Sequence, residues 1–445
     1  MGNEESEAKI EAPETADSPG TGVRLSLCMI VKNEEKNIGK ALSWAKNITY
    51  EQIVVDTGST DNTVKLAEEM GAKVYHFEWV DDFSAARNYA LDQASGNWIA
   101  MFDADEYMTP EDAARLLGFL SELQLNPEMS DKYKVLHCQL INIDDGGKPM
   151  SRYSAMRFFR NIPEIHYAGS IHEHLLADPS SGVWVDDIKI IHTGYSKSAY
   201  KEKNKTERNI KILRAELTKK PEDMYLKAYL ADTLRLKTDN KSRAEAEALF
   251  TEVLESGADI NRKLRIKAYV FFLDKYINDP EKLLECEQLC RNALAEFPES
   301  LDFAYFLASV MNYKGEYDAA WELLKAGEEK LEGGAVHGDS VFVPADPTML
   351  YGQLILAAQG LGDVENVIKY ATLILISDKT RQDILSPLIA AVLRCGAMEE
   401  ELIDLLSSIY NMGDSRDLLL IARAAVDCGA IELAQKIMDI ASGNM

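Results

Sequence analysis

The chain has 445 residues, 46% of them hydrophobic, enough to build about two to three domains. Its formal net charge of −25 argues against nucleic acid and against a polybasic membrane-surface role, since both need clustered Lys and Arg. No run approaches the roughly 18 apolar residues of a membrane span, and the acidic start lacks the apolar h-region of a secretory signal, so a cytoplasmic protein is expected.

Residues 1–22, "MGNEESEAKIEAPETADSPGTG", carry six acids and one Lys and are expected to be a disordered tail. From Leu25 the pattern changes. "LSLCMIV" reads as a buried strand, and "EEKNIGKALSWAKNI" as an amphipathic helix with Ile38, Leu42 and Ala45 on one face. "EQIVVDTGSTDN" is a second strand and its loop, and "TVKLAEEMGA" a second helix stopped at Gly71. "KVYHFEW" is a third strand, "DFSAARNYALDQAS" a third helix stopped at Gly96, and "WIAMFDADE" a fourth strand. Thr109 and Pro110 open the next helix as N-cap and N1. Such alternation implies a parallel, doubly wound α/β sheet, which holds its ligand at the carboxyl ends of the strands. This domain is expected over residues 23–200, with residues 131–200 β-rich and less regular.

A linker helix is expected over 201–225 and a helical domain over 226–445. Helix pairs recur near residues 228, 268, 304, 353, 388 and 419, about 31 to 49 residues apart. The clearest unit is "FAYFLASVMNYKGEYDAAWELLKAGEEKL", with Ala308 at a helix crossing, Gly315 in the turn and Ala320 packing the second helix. This resembles a tetratricopeptide (TPR) repeat, and a solenoid of such pairs suits a peptide or protein partner. A domain that only buttresses or forms a homodimer is the other reading. The six cysteines show no CxxC pattern. Cys286 and Cys290, four apart on a helix, read as buried small residues.

Four polar clusters fall where the first four strands end: Asn33-Glu34-Glu35, Asp56 to Asp61, Asp81 to Asn88, and Asp103-Ala104-Asp105. On an extended backbone Asp103 and Asp105 share a side. Close carboxylates repel, so one takes a proton unless a cation is shared. A hard divalent ion, Mn²⁺ or Mg²⁺, would remove the repulsion and also bind the oxygens of a nucleotide diphosphate. No glycine-rich dinucleotide fingerprint or Walker lysine is present.

"CMIVKNEEKNI", "IVVDTGSTDNT", "FSAARNYAL" and "WIAMFDADEYM" resemble, in order and spacing, the signatures of glycosyltransferase family 2 enzymes with a GT-A fold. "GSIHEHL", "IIHTGY" and the TPR-like extension resemble the subgroup of glycocin (sublancin-type) peptide S-glycosyltransferases. The resemblance implies a nucleotide-sugar donor, with UDP as the expected nucleotide, and inverting transfer to a peptide or protein. It implies that Asp56 bonds the nucleobase, that Val31 and Asn33 line its pocket, and that Glu34 orients the nucleoside. Arg87 would face the nucleotide, its alternative being an ion pair with Asp82 or Asp56. Asp103 would lie by the ribose or metal, and Asp105 would ligate the metal. Inverting transfer needs a general base, for which Glu173 is chosen from "IHEHL". Its alternative is to orient a neighbouring histidine. His192 is the candidate further metal ligand, with His172 competing, and Lys205 and Arg208 fall where a basic segment would cover the diphosphate. Two other functions stay open: a soluble transferase for a cell-surface glycan or glycolipid, and a TPR scaffold with a degenerate transferase domain.

Overall fold

The structure, a computed structural model, describes residues 22–194, 205–333, 339–340 and 342–442. Residues 1–21 of the expected tail and 201–204 of the expected linker lie outside the described residues. The chain divides into two compact units, Met1–Glu222 and Asp223–Met445.

In the first unit, β1 (Leu25–Val31), α1 (Ile38–Ser43), β2 (Glu51–Asp56), α2 (Thr63–Glu69), β3 (Lys73–His76), α3 (Phe83–Asp92) and β4 (Trp98–Met101) follow in the expected order. Then come β5 (Glu106–Tyr107), α4 (Pro110–Leu125), α5 (Pro127–Lys132), β6 (Val135–Ile143), β7 (Pro149–Arg160), β8 (His166–Ala168), β9 (His174–Leu176), β10 (Gly182–His192) and α6 (Lys205–Lys219). Among the described residues eight strands form one sheet in the order β3-β2-β1-β4-β7-β6-β10-β5. The first four run parallel. Beyond them β7 is antiparallel to both β4 and β6, so the sheet is mixed rather than all-parallel. β1, β4 and the Ile53–Val55 stretch of β2 are continuous buried apolar runs because both faces are covered, whereas the edge strand β3 is partly exposed. Ile38, Leu42 and Ala45 pack with Leu116 and Leu120 on one face, and Ala90 of α3 packs with Cys28, Ile53 and Ile99 on the other. Winding reverses at β1, which has β2 on one side and β4 on the other. Such a switch point leaves a crevice beyond the strand ends.

Local chemistry explains several boundaries. The Asp82 side chain caps α3 by accepting from the Ala85 N–H at 2.9 Å, and Thr109 caps α4, with Pro110 at its first turn. The third helix ends at Asp92, four residues before the expected Gly96. Gly96 instead crosses close to β1, where a Cβ would fall 2.5 Å from the Arg24 carbonyl and from Ser26 Oγ.

Glu51 ties these parts together. It accepts from Ser26 Oγ at 2.8 Å, Lys73 Nζ at 2.7 Å and the Ser95 N–H at 2.7 Å. Burial works to raise its carboxyl, but Lys73 and the serine hydrogen bonds outweigh it and bring it down to about 2. A lowered folded-state value gives stability that is present above pH 4.5 and lost as pH falls through about 2. Glu51→Gln is therefore expected to cost up to about 3 kcal/mol near neutrality. In urea melts, the gap between wild type and variant should close between pH 4.5 and 2; a constant gap would contradict this assignment.

The second unit is helical. Its helices pack as successive antiparallel pairs, among them Leu301–Lys314 with Tyr317–Glu332 and Thr348–Leu361 with Val364–Ser377. The six positions at which pairs were expected each fall in the first helix of a pair, from Met224–Leu234 to Ser415–Asp427. Ala308 and Ala320 are fully buried. Gly315 ends its helix at φ +79°, a left-handed turn that favours glycine. Cys286 and Cys290 are buried in this core. Among the described residues no helix is long and apolar enough to cross a membrane.

Candidate active site

A cavity of about 980 Å³ opens at the carboxyl ends of β1, β2 and β4, a volume ordinary for a ligand site. From the first loop come Val31, Asn33 and Glu34. Asn33 sits at φ +57°, held by the Thr60 N–H donating to its Oδ1 at 2.7 Å and by its own N–H donating to Ser59 Oγ. Glu34 accepts from Asn37 Nδ2 at 2.8 Å.

Asp56 is placed differently from its neighbours. The register pairs it with Val31, and Thr57, not Asp56, lines the cavity. The buried Asp56 carboxylate accepts from the N–H groups of Gly58 and Ser59 and lies 3.5 Å from His76, so it shapes the loop after β2.

Arg87 and Asp103 both line the cavity. Arg87 projects from α3 and is 6% exposed. Its partners are neither Asp82 nor Asp56. Nη2 donates to Asp103 Oδ1 at 2.8 Å and Nε to Glu173 Oε1 at 2.7 Å, while the buried Nη1 has no hydrogen-bond partner among the described residues. The other Asp103 oxygen accepts from Arg157 Nη2 at 3.2 Å. Burial would raise the Asp103 carboxyl, but the two guanidinium groups hold it well below the usual carboxylate range. Arginines are thus the shared cations at Asp103, expected by the ribose or metal. Residues 104–105 form a turn instead of the extended backbone expected of "DAD". Tyr167 lies under Arg87, with the guanidinium carbon 5.5 Å from the ring centre. Burial pushes its phenol up to about 12.

Asp105 sits against the end of β10, because β5 and β10 pair His192 with Glu106. His192 Nε2 is 3.5 Å from Asp105 Oδ1. Its Nδ1–H donates to Asn142 Oδ1 at 2.7 Å, and Asn142 Nδ2 donates to Ser151 Oγ. That chain turns the Nε2 edge toward Asp105. The Thr193 N–H and hydroxyl both donate to the Asp105 carbonyl at 3.0 Å. A Cβ on Gly194 would fall 2.3 Å from Asp105 Oδ2 and 2.6 Å from His192 Nε2, so the missing side chain leaves room for both groups. "HTG" thus supplies an imidazole, a backbone clamp and a space. Among the described residues no group of three or more His, Cys, Asp and Glu side chains is placed to hold a metal.

The far wall carries His172, at φ +52°, and Glu173. Lys205 and Arg208 of α6 complete it. That helix is pinned by Lys211 Nζ donating to Asp81 Oδ2 at 2.8 Å and by Arg208 over the Phe83 ring. Burial lowers the Arg208 guanidinium, and Glu173 opposes the shift. Sequence reasoning missed Arg157, Asn142, Thr193 and the Trp79–Phe83 pair, whose rings pack edge-on at 4.8 Å on the cavity wall.

Comparison with known proteins finds likenesses over parts of the chain. Residues 26–162 match the family described as "Glycosyl transferase family 2". A TPR repeat-containing protein of Synechococcus elongatus is 36% identical over 228 residues, 49% of this chain and 54% of that protein. The SPbeta prophage-derived glycosyltransferase SunS of Bacillus subtilis is 28% identical over 221 residues, 47% of this chain and 48% of that protein. The chain spans about half the length of these curated relatives. A crystal structure of S. aureus TarS 1–349 in complex with UDP-GlcNAc aligns with 57% of this chain and 86% of that one, at 17% identity and a TM-score of 0.35. Residues 26–162 of this chain, built on the mixed α/β sheet, match the glycosyl transferase family 2 domain, and a helical region follows in the second unit.

Proposed function

We propose that this chain is a metal-dependent, inverting glycosyltransferase that moves a sugar from a nucleotide sugar, UDP-linked in the first instance, to a peptide or protein acceptor. The observation that carries the reading is one cavity that gathers the family's acidic signature and separate cationic side chains at the strand ends. Asp105 and His192 line it together with Lys205 and Arg208 of α6.

The donor set fits a divalent ion. A carboxylate and an imidazole lie together, the ring's other nitrogen is bonded to Asn142, and Gly194 leaves the space open. Asp105 and His192 would hold Mn²⁺ or Mg²⁺, with remaining positions for diphosphate oxygens and water. Such an ion supplies Lewis-acid charge to the leaving diphosphate.

The chain's own groups divide the other tasks. Val31, Asn33 and Glu34 receive the nucleoside, with Asp56 fixing the adjoining loop. Lys205 and Arg208 supply positive charge to the diphosphate, in a protein whose overall field repels anions. The acceptor's oxygen or sulfur attacks the anomeric carbon from the face opposite the diphosphate. The bond from that carbon to the diphosphate oxygen breaks and its electron pair leaves with the nucleoside diphosphate. Glu173, held by Arg87, takes the acceptor proton, with His172 beside it. The helical unit is the part that would recognise the peptide, since stacked helix pairs offer a surface for an extended chain.

Nucleotide release from a panel of nucleotide sugars tests this reading, with Mn²⁺ and with peptide, glycan or glycolipid acceptors. Release is expected from UDP-sugars and should rise with a peptide acceptor. A rise only with glycan or lipid would replace the acceptor class, and no release from any donor would end the transferase reading.

A further inference from the structure

Five buried or half-buried charges run in a line of alternating sign beside the cavity: Glu106, Arg157, Asp103, Arg87 and Glu173. Arg157 Nη2 donates to Glu106 Oε1 at 2.6 Å and Arg157 Nε to Glu106 Oε2 at 2.9 Å. The same Nη2 reaches Asp103 Oδ2 at 3.2 Å. Asp103 Oδ1 then accepts from Arg87, whose Nε holds Glu173. Glu106 is 1% exposed and also accepts from the Asp103 N–H at 3.0 Å. Arg157 does not line the cavity. It reaches the line because β6 and β7 shift register there. Leu136 pairs with Phe158 and His137 with Met156, which leaves Arg157 as the extra residue of a bulge. Bulges re-aim single side chains and recur beside active sites.

We propose that Arg157 is a positioning residue that controls Arg87 and, through it, Glu173; this rests on the transferase reading above. Arg87 Nη1 is buried and has no hydrogen-bond partner among the described residues. A guanidinium prefers a two-pronged grip on a carboxylate. Arg157 occupies Asp103 Oδ2 and so prevents Arg87 from closing its Nη1 and Nη2 fork on both Asp103 oxygens. Arg87 is thereby held to a single Asp103 bond, and its Nε bond keeps Glu173 in one orientation. Without Arg157, Asp103 rotates onto the Arg87 fork and Glu173 loses its fixed partner.

The paired variant Glu106→Gln with Arg157→Gln removes one charge of each sign, so no buried charge is left unbalanced. It is expected to fold, to bind UDP with Mn²⁺ within about threefold of wild type, and to keep donor KM. Its kcat should fall about 100-fold, the scale of a misplacement near 1 Å. Wild-type kcat in the folded pair would overturn the proposal, leaving Arg157 as the neutraliser of Glu106. Should the pair not fold, Arg157→Lys gives the same test: the charge is kept but one ammonium replaces the fork, so kcat should fall at least about tenfold at constant KM, and unchanged kcat overturns the proposal. A readout without turnover separates the two ideas. The Arg87 Nε–H signal in a nitrogen-15 spectrum, assigned with Arg87→Lys, should shift and exchange faster in the Arg157→Lys chain. An unchanged signal sinks the positioning role, whereas absent turnover in wild type sinks only the transferase reading.

Discussion

Asp105→Ala is expected to cut metal-stimulated transfer by about 100- to 1,000-fold while leaving the fold intact. Lewis-acid stabilisation of a leaving phosphoryl oxygen is worth several kcal/mol, and each 1.36 kcal/mol is tenfold in rate. The Asp105 carboxylate faces His192 Nε2 at 3.5 Å, whereas its backbone is clamped by Thr193 through the carbonyl, which the substitution keeps. The melting temperature should therefore move little. Initial rates over a Mn²⁺ titration give the comparison. A variant with wild-type turnover and wild-type metal response would remove Asp105 from the proposed centre.

Arg87→Met should damage both stability and turnover. The guanidinium stands between Asp103 and Glu173, and burial alone would push its proton off; the two carboxylates hold it on. Deleting one partner of a buried ionic group typically costs about 3–5 kcal/mol, because the remaining charges are left uncompensated. Arg157 still serves one Asp103 oxygen, so the lower end of that range is expected. Arg87→Lys should not restore turnover, since one ammonium cannot span both carboxylates in the arginine's geometry. Urea melts with parallel rate measurements check both statements. An Arg87→Met chain as stable as wild type would show that the alternating charges are not coupled.

The parallel half of the sheet was legible because β1, β2 and β4 carry unbroken apolar runs that end where acidic and Asn-rich loops begin. The cavity residues Asn33, Glu34, Asp103 and Asp105 follow from that pattern, since strand ends converge at a switch point, and Val31 came from the family resemblance. Antiparallel β7 was not legible as the neighbour of β4: pairing of Trp98 with Arg160 and Ala100 with Phe158 joins residues far apart in sequence and leaves no local periodic signal. Arg157 was hidden for a related reason. In "AMRFFRN" it reads as an outward polar residue in an alternating strand, and only the bulge against β6 turns it toward Asp103. Asp56, to which the family resemblance assigns the nucleobase, accepts from N–H groups of its own loop, an arrangement that its sequence neighbours do not reveal. Arg87 was expected to pair with an acid nearby in sequence. Its partners come instead from the β4 end and from the segment before β9.

Heat denaturation of the full chain with UDP, in the presence and absence of Mn²⁺, and again with Asp105→Ala and His192→Ala, addresses the proposed centre most directly. Stabilisation by a ligand grows with its concentration over its dissociation constant, reaching about 2.7 kcal/mol at a hundredfold excess. UDP should raise the wild-type melting temperature markedly more with Mn²⁺ than without, and both variants should lose that increment while melting normally on their own. UDP stabilisation that ignores the metal and survives both substitutions would contradict a centre built on Asp105 and His192.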